Sequence, residues 1–205
     1  MAQIQHGLRA VLARPEAYRL WESVTGALRA RGVIVREHVR PKPGDRVLDI
    51  GCGPGEIVSF LPGTTYTGFD ENPSYIRDAQ RRFGDRASFS CERVEQKTLP
   101  NAGGYDVVLA FGVLHHLDDD SCVSLFQLAS HALRPGGRLV TLDGCYASSQ
   151  SPLAHFVVSR DRGQNVRYTE EYVELARRVF DRVDARIHDG LMRIPYTLAV
   201  LECTK

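Results

Sequence analysis

An excess of either charge is missing from this chain: 26 Lys and Arg stand against 25 Asp and Glu, a net of +1. Broad electrostatic attraction to nucleic acid or to an anionic membrane is therefore not expected, although a local basic patch would escape such a count. Cysteine is sparse. Cys52, Cys91, Cys122, Cys145 and Cys203 are odd in number and scattered, with no C-x-x-C pair. That argues against a disulfide framework and a zinc knuckle, and fits a reducing cytoplasm. No apolar run approaches the roughly 18 residues of a membrane span. "VVLAFGVL" (107–114) is far too short, and His6, Arg9 and Arg14 interrupt the place where a signal peptide would carry its apolar core. The expectation is a soluble, cytoplasmic protein.

What remains is ordinary globular composition, 43% hydrophobic and 25% charged, which can close a core without disulfides or metal. No internal repeat or low-complexity tract is evident. Residues 15–39 read as helical, with Tyr18, Trp21, Thr25 and Leu28 on one face, and "RPKPGD" (40–45) then punctuates the chain. Strand and helix signals alternate from there. Strands are expected at 46–50, 64–70, 87–91, 105–111 and 138–144, with helices at 72–83 and from Asp118 to "RPGG" (134–137). Residues 145–168 read as a long polar excursion without periodicity. A helix from Thr169 and two strands near 182–188 and 196–203 complete the chain. The short "GLMRIP" link between those strands suits an antiparallel hairpin, because a parallel crossover needs about a dozen residues. Together these describe one α/β domain, a doubly wound and mostly parallel sheet with helices on both faces. It divides into N-terminal helices (1–44), a nucleotide-binding core (45–143), an excursion on the ligand side (144–168) and the terminal helix and hairpin (169–205).

The chemistry starts at "VLDIGCGPGE" (47–56), where an apolar run ends in an acid and glycine falls at 51, 53 and 55. A phosphate-binding P-loop is excluded, since no lysine and hydroxyl follow Gly55. The dinucleotide fingerprint G-x-G-x-x-G would need glycine at 56, where Glu56 stands. A carboxylate in that first helical turn would oppose a pyrophosphate, so NAD is disfavoured.

What fits is D-x-G-x-G-x-G with an acid at the end of the next strand. In "VLDIGCGPG" (47–55), "YTGFD" (66–70), "LP…YDVVLAFGVLHHL" (99–117) and "LRPGGRLV" (133–140), the chain resembles the class I S-adenosylmethionine-dependent methyltransferases. The four pieces come in the family's order and cover about 45–143. The resemblance implies a Rossmann-like, seven-stranded sheet and S-adenosyl-L-methionine as cofactor, leaving as S-adenosylhomocysteine. It implies that Gly51, Cys52, Gly53 and Gly55 admit the methionyl end, that Asp49 serves its amino group, and that Asp70, with Glu71 beside it, takes the ribose hydroxyls. The family commonly has an aspartate after the third strand; this chain reads "CERVEQKTLP" (91–100) instead, leaving Val94 and Glu95 as candidates for the adenine. Cys52 is read as a small packing residue between glycines, and Phe111 and Gly112 as cofactor-lining.

Methyl transfer needs chiefly that the acceptor and methyl group be held in line, and a base only for weakly nucleophilic acceptors. His115 or His116 could be that base, or could pack and hydrogen-bond at the strand–helix junction. Asp118–Asp120 suit a helix N-terminus better than a metal, and no metal is expected. The fourth strand ends in "FGVL" rather than the [DNS]-P-P-[YFW] of methyltransferases acting on nucleic-acid bases, which points to a small-molecule acceptor. The excursion brings Tyr146, His155, Arg160, Arg162, Asn165 and Arg167 within a short span. Those arginines suit an anionic acceptor, a sugar nucleotide or acidic metabolite, or else pair with neighbouring acids. The alternative function is a non-catalytic S-adenosylmethionine-binding module acting through protein partners.

Overall fold

A computed structural model describes residues 15–161 and 163–205, apart from the side chain of Tyr18. Eight strands lie among the described residues: β1 Arg46–Ile50, β2 Thr65–Phe69, β3 Ala87–Ser90, β4 Tyr105–Phe111, β5 Leu133–Tyr146, β6 Arg167–Tyr168, β7 Arg182–His188 and β8 Leu198–Thr204. Seven form a sheet of order β3-β2-β1-β4-β5-β8-β7, and short β6 pairs only with the end of β5. The first five in that order run parallel, whereas β8 is antiparallel to both β5 and β7. The order reverses between β1 and β4, the switch point at which doubly wound sheets open a crevice beyond their strand C-termini.

Six α-helices accompany the sheet among the described residues: α1 Pro15–Thr25, α2 Ala27–Ile34, α3 Pro73–Phe83, α4 Asp119–Ala132, α5 Pro152–Ser159 and α6 Thr169–Arg177. Successive residues of a central strand face opposite ways, and this sheet buries both faces. Val107 and Leu109 join Val47, Val140 and Val200 under Ile34 and Ile76, while Val108 and Ala110 join Leu48, Leu139 and Leu201 under Phe126 and Tyr172. None of the described helices is long and apolar enough to cross a membrane.

Three expected elements differ. The single helix over 15–39 is interrupted at Gly26, whose φ of 79° no ordinary side chain adopts readily. α2 then runs into a π-helical turn, Val35–Val39. The face proposed from 3.6-residue spacing is therefore discontinuous: Thr25 is buried, while Trp21 and Leu28 are partly exposed. Next, "RPGG" is not a separate turn but a bulge absorbed into β5. Pairing jumps from Tyr105–Leu133 to Val107–Arg138, and the Gly136 N–H finds the Lys205 carbonyl at 3.0 Å. Finally, the excursion contains α5 and β6. Ser151 caps α5 by accepting from the Ala154 N–H at 3.2 Å, with Pro152 at the first helical position. Eight residues are too few to display a periodicity.

Candidate functional site

The glycine loop leaves β1 at the switch point. Gly51, Gly53 and Gly55 all have positive φ, 77°, 55° and 75°. Two of them keep the backbone low for separate reasons. A side chain at Gly51 would come within 2.7 Å of Val113, whereas at Gly53 it would project into open space that a ligand can fill. Residues 56–60 continue as a five-residue 3-10 turn rather than the expected helix. Glu56 is buried there against Arg82, whose Nη2 donates to Oε2 at 3.0 Å with a second contact from Nη1. The acid is thus neutralised by α3 as well as unsuited to a pyrophosphate.

Asp49 lies buried at the end of β1 and accepts from the Tyr66 hydroxyl at 2.6 Å. Burial pushes its carboxyl up to about 7, against the Tyr66 bond and the positive charge of Arg31. Asp70 ends β2. It accepts from the Gly53 N–H at 3.0 Å and the Asn72 N–H at 2.8 Å, so it braces the glycine loop and retains lone pairs for a ligand. Burial still raises its carboxyl, because those two bonds only partly offset desolvation. Cys52 packs under Gly68, and burial pushes its thiol well up, with Asp49 and Asp70 adding to the shift. It packs and stays protonated, as expected for a small residue in that place.

Three recesses meet at Gly51. One, of about 380 Å³, runs past Asp70 and Glu71 to Val94 and Glu95 and ends on α4 at Leu125 and Leu128. A small one holds Asp49, Cys52 and Gly53 below Arg31 and Phe111. The third is a cleft of about 470 Å³ bounded by Gly112, Val113, Leu142 and Leu198, with Trp21 and Ala30 on one wall, Phe156 and Val157 on another, and Met192, Ile194 and Tyr196 on a third. Gly53, Asp70, Arg31 and Phe111 also line it, so groove and cleft are continuous.

His115 lines this cleft, but its ring is engaged elsewhere. Nδ1 lies 2.8 Å from Asp143 Oδ1 and Nε2 lies 3.2 Å from Asp161 Oδ1, so both ring nitrogens are committed to carboxylates. Burial opposes a charged imidazole, but the two acids outweigh it and hold its pKa at about 9. Asp161 is also gripped by the Tyr196 hydroxyl at 2.5 Å and the Gly163 N–H at 2.9 Å. Although burial works to raise it, these bonds and His115 keep its carboxyl well below the usual range. The imidazolium therefore fastens the excursion to the end of β5, with Asp161 as its ionised partner. His116, buried beside it, lines the cleft.

The excursion residues divide. Arg160 lines the cleft, with its guanidinium 5.0 Å from the Phe156 ring centre. Arg167 does not. It is buried, paired with Asp119 at 2.7 Å and donating to the Leu117, Leu114 and Asn165 carbonyls. Its role is to tie the excursion to the start of α4, which corrects its placement at the acceptor. Tyr146, His155 and Asn165 also lie outside the cleft lining: the first two rings stack 4.9 Å apart, and the Asn165 N–H donates to the His115 carbonyl at 2.9 Å. Arg162 lies outside the described residues. Sequence reasoning missed Arg31, Asp143, Asp161 and the 192–196 wall. Asp143 had a signal, because it ends a strand as Asp49 and Asp70 do. The others had none.

Comparison with known proteins is consistent with this geometry. Residues 47–137 match the family described as "Methyltransferase domain". The chain is 31% identical over 124 residues, 58% of its length, to an uncharacterized 37.1 kDa protein in transposon TN4556 of Streptomyces fradiae. It is 30% identical over 101 residues, 47% of its length, to the ubiquinone biosynthesis O-methyltransferase of Vibrio parahaemolyticus. The matches span 35% and 42% of those relatives' lengths. In fold it is similar to Haemonchus contortus phosphoethanolamine N-methyltransferase 2, solved with phosphomonomethylethanolamine and S-adenosylhomocysteine. That likeness has a TM-score of 0.73 at 17% identity, covering 97% of this chain and 59% of the other. The family match over 47–137 and the shared fold support a class I S-adenosylmethionine-dependent methyltransferase.

Proposed function

We propose that this chain transfers a methyl group from S-adenosylmethionine to a small molecule whose body is apolar. The observation that carries the acceptor class is the cleft itself, walled by Trp21, Phe111, Leu142, Phe156, Met192 and Ile194 and open to the glycine loop. An apolar ligand gains roughly 25 cal/mol for each Å² it hides there. Arg160 is the one described excursion arginine that lines the cleft. It would suit an anionic group at one end of such an acceptor.

The donor set fits the cofactor. Asp49 and Arg31 face the small recess with opposite charges, suited to the amino and carboxylate groups of a methionyl end. Asp70, Val94 and Glu95 line one recess, where Asp70 would take vicinal hydroxyls and the other two would flank an adenine. When bound, S-adenosylmethionine supplies a sulfonium-activated methyl group. The protein's own part is to desolvate the acceptor, exclude water and align it; for a hydroxyl acceptor, His116 on the cleft wall would take the proton. His115 positions the excursion through Asp161.

Calorimetry with S-adenosylhomocysteine, followed by turnover against matched apolar and polyanionic acceptors, tests both parts. Preference for polyanionic acceptors would overturn the acceptor class. Tight S-adenosylhomocysteine binding with no turnover of any acceptor would favour the non-catalytic module.

A further inference from the structure

On the sheet face covered by α2, three residues far apart in sequence converge away from both groove and cleft. His38 sits in the π-helical turn, almost fully buried. Its Nδ1 lies 2.7 Å from Glu202 Oε1 on β8, and its Nε2 lies 2.9 Å from His188 Nε2 at the end of β7. The exposed Glu37 carboxylate completes the group: one ligand atom from each of Glu37, His38 and His188 lies within 4.8 Å of the others.

We propose that Glu37, His38 and His188 form a zinc-binding site that staples the N-terminal helical layer to the terminal hairpin. Two imidazole nitrogens and one carboxylate oxygen are a borderline ligand set that suits Zn²⁺, with solvent in the fourth position. Glu202 accepts from His38 Nδ1–H, which leaves the Nε2 lone pair directed at the other ligands. That is the carboxylate–histidine–metal arrangement that fixes a ligand's tautomer and raises its basicity. Nitrogens on a tetrahedral zinc, bound at about 2.0–2.1 Å, stand about 3.3 Å apart, so the two rings need separate by only about 0.4 Å. The face-to-face Nε2 atoms admit one proton between them at most, and the metal takes that proton's place. Two cations oppose the site: Arg40, bound to Glu202, and Arg186, two residues before His188.

The linkage has a structural consequence. The π-helical turn follows the helix that carries Arg31, and the hairpin link carries Met192 and Ile194, so the metal would clamp together two walls of the cleft. The test titrates metal-stripped, tag-free full chain with zinc sulfate by calorimetry, in parallel with His188→Ala and Glu37→Gln. Metal-free thermal melts check that each variant folds, and cobalt(II) uptake is followed by its visible absorption. One equivalent of zinc is expected, with affinity reduced at least tenfold in each variant and by about 10- to 100-fold in Glu202→Gln. Tetrahedral cobalt bands should vanish in His188→Ala. Absence of saturable uptake by the wild type overturns the site. So does uptake that His188→Ala leaves unchanged, which would place the metal on other ligands such as the exposed Cys91.

Discussion

The glycine-loop groove and the apolar cleft share Gly51, Gly53, Asp70, Arg31 and Phe111, yet they are assembled in opposite ways. The groove comes mainly from strand ends and the turns that follow them, so its chemistry is written in short contiguous runs. The cleft comes from α1, α2, α5 and the hairpin link, whose residues meet only after the chain has folded. One consequence concerns charge. Where the backbone turns sharply, acids are held by N–H groups and one hydroxyl. At the cleft they are held by side chains from distant segments, through the Asp143–His115–Asp161–Tyr196 chain. A damaged groove should lose cofactor binding in place, whereas a damaged cleft should lose its wall.

The largest effect that would sharpen this contrast is His115→Ala. It leaves two buried acids without their shared cation, and breaking such a pair costs about 3–5 kcal/mol. Denaturant unfolding checks the cost. The same residue sets a pH signature. Its folded pKa of about 9 lies above the ordinary 6.5, so its stabilisation is complete below about pH 6.5 and is lost as pH rises through 9. Wild-type melts should decline across that window and His115→Ala melts should not; parallel curves would detach His115 from the excursion.

Next comes Asp70→Asn, which weakens the brace on Gly53 and the sites for hydroxyls. Loss of hydrogen bonds to a charged group is worth about 1.5–3 kcal/mol, or roughly 10- to 100-fold in Kd for S-adenosylhomocysteine. Stability should change far less than in His115→Ala. A smaller effect is expected from Phe156→Ala, whose half-exposed ring forms one lip of the cleft. KM for an apolar acceptor should rise several-fold, about 1 kcal/mol, with cofactor Kd unchanged. A matching loss of cofactor affinity would merge the two regions that the geometry keeps distinct. The mildest test titrates Asp49. With its carboxyl raised to about 7, it is ionised above that pH and protonated below it. Binding a cationic amino group favours the ionised form, so affinity should fall by up to about tenfold per pH unit below 7. A flat profile from pH 5 to 8 would take Asp49 out of contact with the ligand.

Particular residues show where legibility ended. Asp49, Asp70 and the three glycines could be read directly, because strand–turn signals and φ-permissive residues are local. β4 could be read from "YDVVLAF" because a strand buried on both faces is apolar throughout. α5 could not, since two turns of helix carry no measurable period. Arg167 misled for a physical reason: composition shows that a guanidinium is present but not which way it points, and here a carboxylate and three carbonyls claim it from inside.

By itself the sequence determined the doubly wound core, the glycine loop and the acids at its strand ends, since each depends on residues within a few positions of one another. Only the tertiary structure decided that His115 is clamped between Asp143 on β5 and Asp161 in the excursion, 28 and 46 residues further along the chain. It alone also decided that the described cleft walls are largely apolar, and that His38 meets His188. Those outcomes depend on side chains brought together across the sheet, where burial and opposing charge, rather than spacing, settle each group's state.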